Sequence, residues 1–189
     1  SVKGSYTYMA QYLHLLTNSS LGLPTDLWVS STENIAPQYA QQFALGAVRS
    51  FAGNTLEVSL EAYYKSMDQL ITYRDGANYL FQNASSWENK VVVGEGEAYG
   101  LELFVHKKAG RLNGWLGYTL SWSNRWFDEL NGGRPFPFRY DRRHDLSLLL
   151  SYELPRDRSL SMTFVYNTGN AITLPTARYQ GVQPPGWEN

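Results

Sequence analysis

The sequence predicts an all-β protein built as an antiparallel up-and-down sheet, and three observations lead to that prediction. Seven runs of the chain alternate apolar with mostly polar residues, and a period of two is typical of strands whose faces differ. Tight polar turns and long connections alternate strictly between these runs. Aromatic residues make up 15% of the 189 residues, with 14 Tyr and 6 Trp. Such side chains suit a surface that is apolar at one end and wet at the other.

Three strands are predicted in the first half of the chain. The first lies in residues 4–13, the second in 39–51 and the third in 56–65. Residues 52–55 contain Gly-Asn between two periodic runs, which is a hairpin signal. The third strand has the clearest pattern, because one side is wholly apolar or aromatic while the other carries three charges.

Four further strands are predicted in the second half, two on each side of a long insertion. In each of them leucine and aromatic side chains form one face, and mostly polar residues form the other. A polar turn joins the members of each pair. The strands are predicted in residues 99–106, 112–122, 146–154 and 160–166, with turns at 107–111 and 155–158.

The lengths of the connections extend the prediction to a transmembrane β-barrel. The long connections are residues 15–37, 67–96, 123–143 and the tail from Gly169. In an up-and-down sheet they all lie at one end, with the tight turns at the other, as in outer-membrane barrels. The apolar faces carry no charge except Arg49, and a charge at the middle of a bilayer costs about 2–4 kcal/mol on a barrel exterior.

Seven strands do not close such a barrel, and an open sheet cannot stand in lipid with unpaired edges. We therefore expect residues 1–189 to be part of a single, larger β-barrel domain. A soluble sandwich also keeps one face apolar, so a soluble β-sandwich that binds carbohydrate is the alternative. It would be extracted without detergent, whereas a barrel would not.

Composition excludes several classes of protein and of site. A formal net charge of −1 argues against a nucleic-acid binder, which carries a basic surplus. The absence of cysteine excludes a disulfide framework and a thiolate zinc site. No run approaches the roughly 18–20 apolar residues of a membrane helix. A mean hydropathy of −0.39 does not count against a membrane, because only alternate residues of a spanning strand need be apolar.

Several segments resemble the barrel repeats of TonB-dependent outer-membrane receptors. The resemblance is closest to the Bacteroidetes-type receptors that carry a carboxypeptidase-like regulatory domain ahead of the plug. It covers nearly the whole chain, in the C-terminal part of such a barrel. The segments that carry it are residues 98–103 (AYGLEL), 114–121 (GWLGYTLS), 138–147 (FRYDRRHDLS), 23–28 (LPTDLW) and 166–171 (YNTGNA).

The resemblance implies a bacterial outer-membrane importer whose barrel has about 22 strands. The expected substrate is a bulky nutrient such as a siderophore, a glycan, a peptide or a cobalamin-like compound, moved with energy from the inner membrane. The implied partners are outer-membrane lipid, the plug and remaining barrel strands, TonB through the N-terminal part, and a surface lipoprotein. The plug, the N-terminal regions and the closing strand are expected outside this sequence, and no cofactor is implied.

No catalytic or metal-binding residue is predicted. The Gly-rich residues 94–100 place two carboxylates where a phosphate cradle needs positive potential, so a loop-to-strand entry is predicted there. Asp141, His144 and Asp145 do not complete a ligand set at a recognised spacing. For them we predict a structural role at the loop end of a strand.

Two further patterns fail as enzyme signatures. Glu57 and Glu61 share one strand face but lie about 13 Å apart at roughly 3.3 Å per residue, too far for a glycosidase pair. A nucleophile elbow of the form Gly-x-Ser-x-Gly does not occur. The sequence therefore predicts no enzyme. A small outer-membrane barrel enzyme with a site at its rim is a second alternative, and substitution of His144 should abolish its activity.

Ligand contacts are expected in the long loops. Aromatic rings there are suited to stack on a sugar or siderophore, and arginines to pair with anionic groups. Ordinary packing between loops is the alternative role for the same side chains. The candidates are Tyr73, Arg74, Trp87, Trp126, Phe136, Phe138 and Arg139.

Overall fold

A computed structural model describes residues 1–16, 27–74 and 87–171 of the chain. They form strands and two 3₁₀ turns, the turns at Trp87–Lys90 and Asn131–Gly133. In chain order the strands are β1 (Val2–Gln11), β2 (Leu13–Leu16), β3 (Leu27–Ser30), β4 (Gln38–Phe51), β5 (Leu56–Tyr73), β6 (Val91–Lys107), β7 (Leu112–Trp126), β8 (Phe136–Pro137), β9 (His144–Leu154) and β10 (Arg158–Asn167).

The long strands make one antiparallel sheet in the order β1-β4-β5-β6-β7-β9-β10. Long strands that are consecutive in the chain are therefore paired in the sheet, and the predicted seven-stranded meander is confirmed. The short strand β8 pairs with the end of β7, while β2 and β3 form a separate hairpin. No helix in the described parts of the chain is long and apolar enough to cross a bilayer.

The prediction that short turns and long connections lie at opposite ends of the sheet is also confirmed. The turns β4–β5, β6–β7 and β9–β10 are short and lie at one end of the sheet, which we call the turn end. The long connections β1–β4, β5–β6 and β7–β9 lie at the other, the loop end. Arg156 and Asp157 have φ of 66° and 54°, the positive values that match a tight turn to the twist of its two strands.

The strands are longer than the sequence pattern predicts, so the predicted bounds of the long connection, residues 67–96, are wrong. Strand β5 continues to Tyr73 and β6 begins at Val91. The register shifts between Met67 and Leu70, where Gln69 has φ of 59°. Such a bulge adds an unpaired residue and breaks the two-residue period. The long connections predicted for 15–37 and 123–143 likewise include strands, because part of β2, all of β3, part of β7 and β8 lie there.

Residues paired across neighbouring strands form rows that cross the sheet, and two adjacent rows differ in polarity, one apolar and the other polar. Side chains at paired positions lie on the same face, and neighbours along a strand lie on opposite faces. The face of Leu60 and Leu103 is called the apolar face, and the face of Glu61 and Glu102 the polar face. Across the seven long strands, one row reads Val2, Ala47, Leu60, Leu103, Tyr118, Leu146 and Tyr166, and the next reads Lys3, Gly46, Glu61, Glu102, Thr119, Asp145 and Asn167.

The apolar face is open over most of its area. Leu60 is 45% exposed and Leu160 is 66% exposed, so among the described residues no second layer covers these positions. A β-sandwich would bury the same side chains between two sheets. The exposure therefore argues against the sandwich alternative.

Buried apolar side chains concentrate at the loop end, on both sides of the β5–β6 hairpin. Leu70 and Ile71 are neighbours on β5 and point to opposite faces, and each belongs to a different buried cluster. Because this part of the hairpin is apolar on both faces, it lacks the alternation that identifies a strand. One cluster is Leu16, Val29, Ile35, Ile71, Tyr73 and Val91, with Trp87 against it; the other is Leu70, Val92, Phe127 and Leu130, with Met67 and Phe136.

Candidate functional site

The structure separates the seven predicted ligand-contact residues into two groups. The first group contributes to packing or to ion pairs at the loop end. Tyr73 belongs to a buried cluster with Trp87 packed against it, and Phe136 packs against the other cluster. Arg74 is half exposed, and its Nη2 lies 3.2 Å from Oε2 of Glu129. For this group the structure is consistent with the loop-packing alternative.

The second group lies together where β7 ends. Trp126 is the last residue of β7, and Phe138 and Arg139 follow β8. The backbone N–H of Phe138 donates to the carbonyl oxygen of Ser123 at 2.8 Å. Phe138 and Tyr140 meet edge to face with ring centres 5.2 Å apart. The chain after β8 is thereby held against the end of β7, and aromatic and cationic side chains collect there.

Arg125 is part of this group and was not predicted. Its Cζ lies 3.5 Å from the centre of the Phe138 ring, a distance typical of a cation–π contact. Arg125 on β7 pairs with Phe136 on β8. Because Thr119 lies on the polar face and alternate residues of a strand share a face, Arg125 also lies on the polar face. The sequence pattern predicts that this strand ends at residue 122, so it does not indicate a face for Arg125.

The carboxylate and histidine near the start of β9 have the predicted structural role. Asp141 is 8% exposed; its Oδ1 accepts from the Ser123 N–H at 2.7 Å and its Oδ2 from Arg143 at 3.1 Å. The Nδ1 of His144 is 2.8 Å from the Tyr118 hydroxyl. The described residues contain no group of His, Cys, Asp and Glu side chains suited to a metal ion.

The Gly-rich segment 94–100 lies wholly within β6, so its prediction as a loop-to-strand entry is wrong. Its glycines admit side chains from adjoining strands and loops. A Cβ at Gly100 would lie 2.9 Å from the Tyr63 hydroxyl, and one at Gly94 would overlap the Phe127 ring. These glycines allow large side chains to pack flat on the polar face.

A buried histidine holds the β2–β3 hairpin to the sheet. His14 is solvent-inaccessible, and the Gln38 amide donates to its Nδ1 at 3.0 Å. Its Nε2 is 3.0 Å from the Ser31 hydroxyl, which donates to the carbonyl of Tyr12. Since Nδ1 accepts a hydrogen bond, the ring is neutral with its proton on Nε2.

The hairpin is expected to loosen in mild acid. Burial lowers the pKa of His14 below its usual value near 6.5. The unfolded chain therefore binds a proton that the folded chain resists, and stability falls as pH drops below about 6.5. Hydrogen exchange at Val29 and Ser31, corrected for intrinsic rates, should show less protection at pH 5 than at pH 7.5. A His14→Gln variant should lose most of this pH dependence, and equal protection of the wild type at both pH values would contradict the expectation.

Comparison with known proteins gives one match. A family model described as TonB dependent receptor-like, beta-barrel matches residues 2–187. A search of curated proteins and a search of solved structures each found no match to the chain.

Proposed function

Because the chain belongs to the TonB-dependent receptor-like β-barrel family, we propose that it forms part of the wall of an outer-membrane importer for a bulky nutrient. The family consists of outer-membrane receptors and transporters rather than enzymes. The observation that best supports the proposal is the pair of adjacent rows, one apolar and exposed, the other polar, that run across seven strands. Lipid outside and a wet lumen inside account for this arrangement.

The apolar face has the dimensions of a bilayer core. On β5 the apolar stretch runs from Leu56 to Tyr64, close to the roughly 9–11 residues that a tilted spanning strand needs. An aromatic row closes the stretch toward the loop end. It consists of Tyr6, Phe43, Tyr64, Tyr99 and Trp122 on five neighbouring strands.

Beyond the aromatic row, the same face turns polar. The next row toward the loop end contains Gln41, Ser66, Glu97 and Asn124. Toward the other end, Arg49 lies two positions before Phe51, the last residue of β4, with its Cζ 5.0 Å from the centre of the Phe51 ring. An arginine near a membrane boundary extends its charged group to the headgroups. The polar row at one end of the apolar stretch and Arg49 at the other both support contact between the apolar face and lipid.

The proposal also includes the other strands of the barrel, the plug and TonB. Strands β1 and β10 each have one neighbour in the described sheet, and a lipid-facing edge cannot stay unpaired. We therefore place these strands within a single larger barrel of about 22 strands. The plug would occupy its lumen, and TonB would act through the N-terminal part. A surface lipoprotein and the Bacteroidetes type remain predictions from the resemblance.

Phe138 and Arg139 are the predicted residues best placed to contact a nutrient, because alternation along β7 places Trp126 on the face opposite Arg125. Phe138 and Arg139 lie in the chain that follows β8, at the loop end, which is extracellular in barrels of this kind. The proposed substrates are a siderophore, a glycan, a peptide or a cobalamin-like compound.

The full-length protein and a deletion strain test the proposal. We expect the protein in the outer-membrane fraction, extractable only with detergent. With a panel of ferric siderophores, oligosaccharides, oligopeptides and cobalamin, the wild type should accumulate one class that the deletion strain does not, and a protonophore should abolish this accumulation. Recovery in the buffer-soluble fraction, protonophore-resistant accumulation, or equal uptake of the whole panel by both strains would each contradict the proposal.

A further inference from the structure

A guanidinium that has no anionic partner among the described residues lies at the loop end of the polar face. The Nε of Arg125 is buried and has no hydrogen-bond partner. Within residues 1–16, 27–74 and 87–171, no ion pair joins its guanidinium to a carboxylate. Native proteins rarely leave a buried polar group of this kind unsatisfied, and an ion is one usual explanation.

The surroundings of Arg125 increase its need for an anion. The Phe138 ring covers one side of the guanidinium at 3.5 Å and displaces water from it. The Arg139 guanidinium lies close enough to repel the Arg125 charge. Removing water from a cation costs free energy, and a second cation adds to that cost. The Phe138 cation–π contact offsets part of this cost, but it does not neutralise the charge.

Two carboxylates of the same loop already form ion pairs with other arginines. Both oxygens of Asp141 are occupied, one by the Ser123 N–H and the other by Arg143. Glu129 pairs with Arg74. Neither of these two carboxylates therefore neutralises Arg125.

We infer that Arg125, beneath the Phe138 ring, is an anion-binding site for a carboxylate or phosphate group of a small molecule that enters from the loop end. Arginine offers a planar fork of donors that matches such oxygens. The inference rests on the proposed function in one respect, that the polar face lines the lumen. Within that function it restricts the substrate to a compound that carries an oxyanion. A carboxylate from another part of the protein would present the same chemistry, and the test separates the two sources.

The test is a titration of the full-length protein in detergent at constant ionic strength. Citrate and inorganic phosphate are the probes, chloride is the reference anion, and binding is followed by calorimetry. We expect the wild type to bind one of the two oxyanions and Arg125→Gln to weaken that binding at least about tenfold. The matched control is Arg134→Gln, because Arg134 is an exposed arginine of the same loop and should leave binding unchanged.

A second variant distinguishes loss of anion binding from loss of folding. Arg125→Lys keeps the charge but removes the fork, and an intermediate affinity is expected; assembly of each variant is checked by its heat-modifiable band on a gel. Binding by Arg125→Gln equal to that of the wild type would overturn the inference. A wild type that binds neither oxyanion, together with a lower melting temperature of Arg125→Gln, would also overturn it and assign the partner to another part of the protein. None of these results changes membrane fractionation or protonophore-sensitive uptake, so failure here is distinct from failure of the proposed function.

Discussion

Leu60→Arg is expected to destabilise the folded barrel by about 2–4 kcal/mol. Leu60 lies on the apolar face at the middle of the apolar stretch of β5, pairs with Leu103, and is 45% exposed. If that surface meets lipid, the arginine places a charge in the bilayer core. If the surface meets water, the same substitution at an exposed site should have little effect. Urea unfolding of the full-length protein in lipid vesicles measures the difference.

Glu61→Arg provides a matched control, because it introduces the same side chain one residue further along β5. Glu61 lies on the polar face and directly opposes Glu102. Like charges at such positions are destabilising, so reversing one of them should be neutral or stabilising. Equal losses of stability in the two variants, or no loss in Leu60→Arg, would contradict the assignment of the apolar face to lipid.

Gly114→Ala is expected to destabilise the barrel by about 3 kcal/mol or more, or to prevent its assembly. Gly114 has φ of 146°, a conformation that disfavours any residue with a side chain. A Cβ there would overlap the backbone carbonyl of Leu149 on β9. A carbonyl within a paired strand cannot move without breaking the ladder, so the overlap is not relieved by a side-chain rotation.

Gly117→Ala is the control for this prediction, since Gly117 lies on the same strand. The nearest atoms to its Cβ would be in the rings of Trp115 and Phe104, at 3.8 Å and 3.9 Å. These are ordinary contacts, and we expect a change below about 1 kcal/mol. Heat modifiability and urea midpoints of both variants give the comparison. Similar stability of the two alanine variants would show that the close approach of β7 to β9 does not require Gly114.

The site is less predictable from sequence than the fold, and Arg125 and Tyr73 illustrate why. Tyr73 follows a bulge that interrupts the period, so the strand pattern no longer indicates which face it occupies. Its burial depends on Leu16, Val29 and Ile35, which are distant in the sequence. Arg125 meets Phe138 only because β8 returns the chain to the end of β7. Neither the burial of Tyr73 nor the contact between Arg125 and Phe138 can be predicted from the residues next to them in the sequence.

The sequence by itself determined the seven-stranded meander, the sorting of short and long connections, and the identity of the two faces. These features depend on the two-residue period of a strand and on turn chemistry, which are local properties of the chain. The tertiary structure alone decided where the strands end, which loop residues are buried, and that an arginine lies beneath Phe138 without an acidic partner among the described residues. The physical reason is that strand ends and loop contacts are set by packing between segments distant in sequence, where side-chain burial overrides local periodicity.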